Sequence, residues 1–576
     1  MSAPARATSH AQSRTSLYNG VGRGYRAAMR VVFVALAQEQ LGLSMLSAVL
    51  RRAGHETALA FNPALFGDRY YFDVPLLRDF FDRTERMIEE AVQLEPDLLA
   101  FSVLTPTYTW CLEVARRVKE RTGCAVIFGG VHPSAAPEVC LENDYVDYVC
   151  VGEGEHAIVE LCEQLDRGRH RPVKPIPNIW WKDERGDVVS GPNAAFNQDL
   201  DKLPFWDKEL WEDVIDVGAH YLTMSSRGCP YRCTFCFNNF FARLPGKGGG
   251  KYVRQRSVEN QMNELRQMHE RYRLRYIEFA DDIFTVNKDW IREFTNAYKK
   301  EIGVPFQCLI HPRFIDREMA RWLADAGCVH VQMGVQSVDE EYRRKTLLRN
   351  EKDDHLRQAL EALRDAGLEA KLDHILGLPG EPLGAQEEAR KLYAEFTPRR
   401  IQTFWLTYVP GIDMTKQALA DGILTPQDVH EIERGRTRAF RHQHLDARSK
   451  DQGAQQFYQR YDLLFRAMPL LPASVRRRIR AEHLPALGEK TANAVGFAFD
   501  LANVIRSLDT ETLTFIEHYA RQIMRQTPEL IPGKQPAVTR PKVRAPIHDG
   551  SSLPNQTMPD PVTGKPRPRR VELPIV

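Results

Sequence analysis

Apolar residues along the chain alternate between short uninterrupted runs and longer stretches of helical spacing. RVVFVAL at 30–36 has an apolar centre without a polar break, which suits a strand buried on both faces. LGLSMLSAVLRRAG at 41–54 then spaces its apolar residues as an amphipathic helix ended by Gly54. The pairing recurs through ETALAF, the helical stretch at 80–94, DLLAFSV, TWCLEVARRVKERTG, CAVIFGG, YVDYVCVG and EHAIVELCEQL. Five such strands separated by helices predict a doubly wound parallel sheet over residues 30 to about 170, in a domain closing near 195.

A second alternation begins at Tyr221. YLTMSS, YIEFADD, FQCLI, HVQMGV, AKLDHILGL and IQTFWLTYV are strand-like, and amphipathic helices precede all but the first. Six repeats fall short of an eightfold barrel and predict a partial (β/α)6 barrel over 205–425. Helical segments then take over and predict a third, helical domain over 426–526. Its TANAVGFAFDLANV stretch reads as core, or alternatively as the lining of an apolar substrate pocket. Residues 1–29 are rich in Ser, Ala and Arg without an acid, as in a disordered tail or, on composition, a transit peptide. The closely spaced prolines of 527–576 predict an extended tail without a core. The fold class is α/β with a helical C-terminal domain.

Ligands of a doubly wound sheet sit at the carboxyl ends of its strands. There the chain places AQEQLG, SVLTPTYTW, GGVHPS and GEGEHA, and Gly129, Gly130, Gly152 and Gly154 let backbone approach a bulky ligand. Composition adds exclusions: 43% hydrophobic and 27% charged residues with a net charge of +2 argue for neither nucleic acid nor a membrane surface. No apolar run approaches the roughly 18 residues of a membrane span. Seven of the ten cysteines are scattered through apolar contexts, as buried thiols of a cytoplasmic protein are.

The other three, Cys229, Cys233 and Cys236, fall within SSRGCPYRCTFCFN at 225–238. Three thiolates are one short of a closed zinc site, which His220 could complete. An iron–sulfur cluster held by three thiolates instead keeps one iron open for a ligand.

SRGCPYRCTFC resembles the Cys-x3-Cys-x2-Cys signature of the radical S-adenosylmethionine (SAM) superfamily, including Phe235 before the third cysteine. The resemblance implies a [4Fe-4S] cluster whose open iron binds SAM and whose electron cleaves it to a 5'-deoxyadenosyl radical. It also implies SAM contacts at Phe235, at Asp281 and Asp282 of FADD, at Gln336 and Ser337 of GVQS, and at Gly377 and Pro379 of HILGLPGE. Gln336 stands where the family has glutamate, and Ser337 with Glu340 also fits a helix capping box. FWLTYVPG matches the family's sixth-strand end.

A doubly wound domain carrying GGVHPS and VGEGEHA before such a barrel is similar to the cobalamin-binding, Rossmann-like domain of cobalamin-dependent radical SAM enzymes, a likeness spanning about 30–422. It implies cobalamin contacts at Gln38, Leu41, Ser102, Thr105, Gly129, Gly130, His132, Gly152, Glu153 and Gly154. The Asp-x-His-x-x-Gly motif that supplies a histidine to cobalt elsewhere is absent, which leaves His132 as the candidate ligand, or as an ordinary hydrogen-bonding residue.

The implied reaction is methylation of an unactivated carbon of a small-molecule substrate: the radical abstracts hydrogen, and the substrate radical takes a methyl group from methylcobalamin. A second SAM restores that methyl group, and an external donor of flavodoxin or ferredoxin type supplies electrons. Oxidative cyclisation or ring rearrangement, as in the anaerobic magnesium-protoporphyrin ester cyclases, is the alternative chemistry. A non-catalytic cobalamin and iron–sulfur electron carrier or sensor is the alternative of another class. RNA methylthiolation is disfavoured, because that family carries further ligating cysteines in its N-terminal domain.

Overall fold

The computed structural model describes residues 28–65, 67–68, 72–73, 75–165, 171–245, 248–436, 452–506, 513, 516–517, 519–524 and 542–547. The first sheet comprises β1 (Arg30–Leu36), β2 (Glu56–Asn62), β3 (Leu98–Ser102), β4 (Ala125–Gly129), β5 (Tyr148–Cys150), β6 (Ile179–Lys182) and β7 (Val188–Ser190), in spatial order β2-β1-β3-β4-β5-β6-β7. β1 to β5 are parallel, as the apolar runs predict, and the β6–β7 hairpin adds two antiparallel strands. The run pattern misses that hairpin because both strands are short, and β7 alternates exposed and half-buried residues without an apolar run.

Alternate residues of the sheet enter two cores. Val32, Val34, Leu99, Phe101, Val126 and Phe128 pack under α2 (Thr84–Gln93) and α3 (Tyr108–Thr122). Val31, Phe33, Leu98 and Ile127 face the opposite way, toward α1 (Leu41–Arg52) and α4 (Glu155–Gln164). That second core runs on through Trp206, Leu210 and Trp211 of the connecting segment into the barrel.

The second sheet is parallel and strictly sequential: β8 (Tyr221–Thr223), β9 (Ile277–Phe279), β10 (Phe306–Ile310), β11 (Cys328–Gln336), β12 (Glu369–Leu376) and β13 (Arg400–Trp405). This is the open six-stranded barrel the sequence predicts. Its helices are short and deliberately ended; α5 (Val258–Tyr272), for example, is capped by the Ser257 hydroxyl accepting the Asn260 N–H.

Beyond the barrel, α6 (Gln452–Ala467) and α7 (Glu489–Arg506) pack together, and the Phe465 ring meets His374 and Tyr393 edge to face on the barrel. The TANAVGFAFDLANV stretch lies on α7, where Asp500 and Asn503 are buried against Arg466 and Leu501 and Ile505 face out. The expected N-terminal tail to residue 27 lies outside the described residues, as does most of 527–576. In the described piece of the latter, Arg544 pairs antiparallel with Thr57 on edge strand β2. An edge strand offers unpaired N–H and C=O groups for such an addition.

Candidate functional site

The strand order places a topological switch between β1 and β3, and a crevice opens outside their carboxyl ends. The crevice is a cleft of about 360 Å³ whose far wall belongs to the barrel. On the sheet side Leu41, Ser102, Gly129, Gly130, Gly152, Glu153 and Gly154 line it, seven of the ten positions expected to meet cobalamin. Gly130 has φ +99°, and a Cβ there would lie 3.0 Å from the Val103 nitrogen, so the strand end depends on glycine.

Three expected contacts are placed elsewhere. Gln38 is exposed away from the lining, and Thr105 and His132 are buried behind it. His132 Nδ1 bonds the Thr105 hydroxyl at 3.1 Å, and its ring lies 4.3 Å from that of Tyr108. Burial pushes this imidazole down to about 4. The turn into the short helix Val131–Ala135 aims the side chain inward, and no histidine is among the cleft's lining residues.

On the barrel side the cysteine loop leaves β8. Asp281, fully buried, accepts hydrogen bonds from the Ser225 N–H and from the hydroxyls of Ser225 and Ser226 at 2.7 and 2.5 Å. It thus braces the loop, whereas its neighbour Asp282 lines the cleft and accepts from Asn238 Nδ2 at 2.6 Å. Only Asp282 of the FADD pair is therefore open to a ligand.

Gly228, with φ +89°, precedes the first cysteine, and a Cβ there would sit 2.4 Å from the Tyr252 carbonyl oxygen. Cys233 is buried, Cys229 and Cys236 half-buried. Burial pushes the Cys229 thiol up to about 12 and Cys233 up to about 11, with Cys236 raised in the same sense. The Arg349 guanidinium opposes the rise at Cys233 and Cys236, favouring thiolate.

Among the described residues no three His, Cys, Asp or Glu side chains converge as ligands of one ion. Three free thiols on one loop fit a cluster, in which each thiolate takes a different iron. His220, the candidate fourth zinc ligand, bonds Glu278 instead, Nε2 to Oε2 at 2.8 Å.

The remaining expected SAM positions gather at the ends of β11 and β12. Gln336 has φ +66° at a register shift of β11. Ser337 is buried and its hydroxyl accepts the Asp339 N–H at 3.3 Å. The following helix, Glu340–Lys345, is capped by Asp339, which accepts the Tyr342 N–H at 2.7 Å, so the expected Ser337–Glu340 box does not form. Gly377 has φ +75°, and the Pro379 carbonyl accepts the Tyr342 hydroxyl at 2.7 Å. Phe235 packs with Phe237 and Phe404 against the same cluster of side chains. Thr234 ties the cysteine loop to this region, donating its N–H to the Leu347 carbonyl and its hydroxyl to that of Thr346.

Sequence reasoning misses Arg227, Tyr252 and Arg254, which complete the cleft. The signal available was RQRS, two arginines alternating in a strand-like stretch. None of residues 452–506 lines the cleft.

The B12 binding domain family matches residues 30–162, and the Radical SAM superfamily matches residues 223–392. The chain carries a B12-binding domain followed by a radical SAM domain. Uncharacterized methyltransferase PH0819 of Pyrococcus horikoshii is 28% identical over 58% of this chain and 71% of its own length. The anaerobic magnesium-protoporphyrin IX monomethyl ester cyclase of Rubrivivax gelatinosus is 25% identical over 57% of this chain, which spans 59% of that relative. The cobalamin-dependent SAM radical enzyme OxsB, solved with aqua-cobalamin and SAM bound, superposes with a TM-score of 0.57 at 13% identity, over 88% of this chain and 81% of its own. That likeness is one of fold. Among the described residues no helix is long and apolar enough to cross a membrane.

One titration accompanies this radical SAM domain. Burial holds the Glu381 carboxyl up at about 7, against hydrogen bonds from Ser337 and Gln386. Burial likewise raises Asp373 to about 7. Both folded values exceed the unfolded ones, so their stabilising contribution is complete below about pH 4 and is lost as pH rises through 7. The melting temperature is expected to fall by a few degrees between pH 5 and 8, and Glu381→Gln to flatten part of that fall in a pH series of thermal scans.

Proposed function

We propose that the chain is a cobalamin-dependent radical SAM enzyme that methylates an unactivated carbon of a small-molecule substrate. The observation that carries this reading is the shared cleft: the glycine-rich strand ends of the B12-binding sheet form one wall, and Arg227 and Gly228, directly before Cys229, form the other with Asp282, while the three cysteines lie outside the lining. When bound, the cluster with SAM supplies a 5'-deoxyadenosyl radical and cobalamin supplies the methyl group.

The protein's own residues do the placing. Cys229, Cys233 and Cys236 would hold the cluster, on a loop braced by Asp281 and keyed by Gly228. Gly129, Gly130, Gly152 and Gly154 would let the corrin ring approach backbone, while Leu41, Leu46, Ile127 and Phe241 keep the wall apolar. A dry wall of this kind protects a radical from solvent, and the common cavity supplies the proximity that such chemistry needs. Electrons would come from an external flavodoxin- or ferredoxin-type donor. The setting would be the cytoplasm, where the ten free thiols persist.

The test uses the enzyme reconstituted anaerobically with iron, sulfide and hydroxocobalamin, and given SAM with a trideuterated methyl group plus a small-molecule extract of its cells. The expected result is a product carrying the labelled methyl, with S-adenosylhomocysteine and 5'-deoxyadenosine formed alongside it. The cyclase among the relatives makes a second outcome specific: 5'-deoxyadenosine without S-adenosylhomocysteine, and a product that has lost hydrogens, would replace methylation by cyclisation. No turnover of SAM at all would leave an electron carrier or sensor.

A further inference from the structure

The two facing loops of the cleft, Gly152–Glu153–Gly154 on the sheet and Arg227–Gly228 on the barrel, alternate glycine with charge. Glycines give shape little to interlock, so the charges set how one loop sits on the other. Glu153 Oε1 meets Arg254 Nη1 at 2.7 Å and Arg227 Nη1 at 3.3 Å, while its Oε2 accepts the Asn197 N–H at 2.9 Å. Arg227 Nη2 reaches Glu155 Oε1 at 2.7 Å. Arg254 also donates to the Asn197 and Tyr252 carbonyls and lies over the Phe196 ring, 4.8 Å from its centroid. The two arginines are backbone partners in a short antiparallel ladder, Ser226–Arg227 with Arg254–Gln255, and Cys229 follows Arg227 by two residues.

Four charges in a partly buried cleft gain little net stability from pairing, because each was better hydrated before folding. Side-chain exposures of 4% for Arg254 and 9% for Glu155 make that cost real. What such an array secures is register, since a shift of either loop leaves a charge without its partner in a low-dielectric site. Glu153 lines the cleft, but both its carboxylate oxygens are already engaged.

We propose that Glu153, Arg227 and Arg254 are positioning residues that lock the cobalamin-facing loop to the cluster loop, and so set the separation between cobalt and the SAM methyl group. The inference rests on the cofactor assignment above. Methyl transfer to cobalt requires that separation, whereas reductive cleavage of SAM requires only the cluster side. In the first reaction reduced cobalt attacks the methyl carbon, the carbon–sulfur bond breaks and S-adenosylhomocysteine departs with its electron pair. In the second, one electron from the cluster yields methionine and the deoxyadenosyl radical, read as 5'-deoxyadenosine.

The experiment compares wild type with Glu153→Gln, both reconstituted with cluster and hydroxocobalamin, reduced with titanium(III) citrate and given SAM alone. Misplacement of about 1 Å is worth about a hundredfold in rate, and a partial loosening predicts that S-adenosylhomocysteine formed per 5'-deoxyadenosine falls about tenfold. The magnetic interaction between Co(II) and the reduced cluster in the electron paramagnetic resonance spectrum should broaden or weaken as well. Loss of folded protein lowers both products together and leaves their ratio alone, so the ratio isolates positioning. If Glu153→Gln does not fold, Arg254→Lys, which keeps the charge and loses the forked grip, gives the same two readouts. An unchanged ratio with an unchanged spectrum overturns the inference. Wild-type enzyme that forms no S-adenosylhomocysteine overturns the cofactor assignment itself.

Discussion

Cys233→Ala is expected to leave a folded chain that binds no stable cluster, with iron and sulfide near background and 5'-deoxyadenosine formation down by about three orders of magnitude or more, because the missing cofactor carries the reaction itself. The loop's backbone does not depend on the thiol: the Cys236 N–H donates to the Cys233 carbonyl at 3.1 Å, and Thr234 holds Leu347 and Thr346. Deleting one buried sulfur should cost about 1 kcal/mol of stability, a small fraction of the whole. Iron and sulfide content after anaerobic reconstitution, read beside a circular dichroism spectrum, separates cofactor loss from unfolding. Added zinc should restore nothing, since the two remaining thiols fall well short of the four ligands of a closed zinc site.

The parts of this arrangement legible in the sequence are those set locally. β1, β3 and β4 announce themselves because a strand covered on both faces must be a continuous apolar run. The cysteines are legible because ligand spacing within eight residues is itself the signal. Contacts between distant segments leave no such mark: Arg227 and Glu153 are 74 residues apart, and Arg254 and Glu153 are 101 apart. Asp281 shows why motif and role diverge. Its place in FADD suggests a ligand contact, yet Ser225 and Ser226, 56 and 55 residues earlier in the chain, occupy its oxygens. His132 lies outside the cleft lining for a related reason, since sequence places a residue at a strand end but not the direction in which a turn aims it.

Asp207→Ala is expected to lower the stability of the joint between the two domains by about 3 kcal/mol, the low end of the range for breaking a buried ion pair, because Arg51 keeps a second carboxylate in Glu209. Within WDKEL at 206–210, Asp207 is fully buried and Lys208 nearly so. Asp207 Oδ1 accepts from Arg51 Nη1 at 2.8 Å, and Oδ2 accepts from the Ser47 hydroxyl at 2.6 Å. Lys208 Nζ donates to Glu39 Oε1 at 2.6 Å and to the Leu222 carbonyl at 2.5 Å, above the Tyr221 ring. These adjacent pairs fasten the connecting segment to α1 on one side and to β8 on the other, just ahead of the cysteine loop. Without Asp207, the Arg51 guanidinium keeps Glu209, at 2.9 Å, and the Ala545 carbonyl, at 3.0 Å, and the Ser47 hydroxyl loses one partner while keeping Thr57. Replacing both charges, Arg51→Met with Asp207→Leu, should recover much of the loss, because the penalty comes chiefly from a buried cation left with one carboxylate in place of two. Denaturant midpoints for the two single variants and the double variant measure that coupling. Retention of cobalamin on desalting should follow the same order, since α1 begins at Leu41 in the cleft wall and moves with whatever holds it.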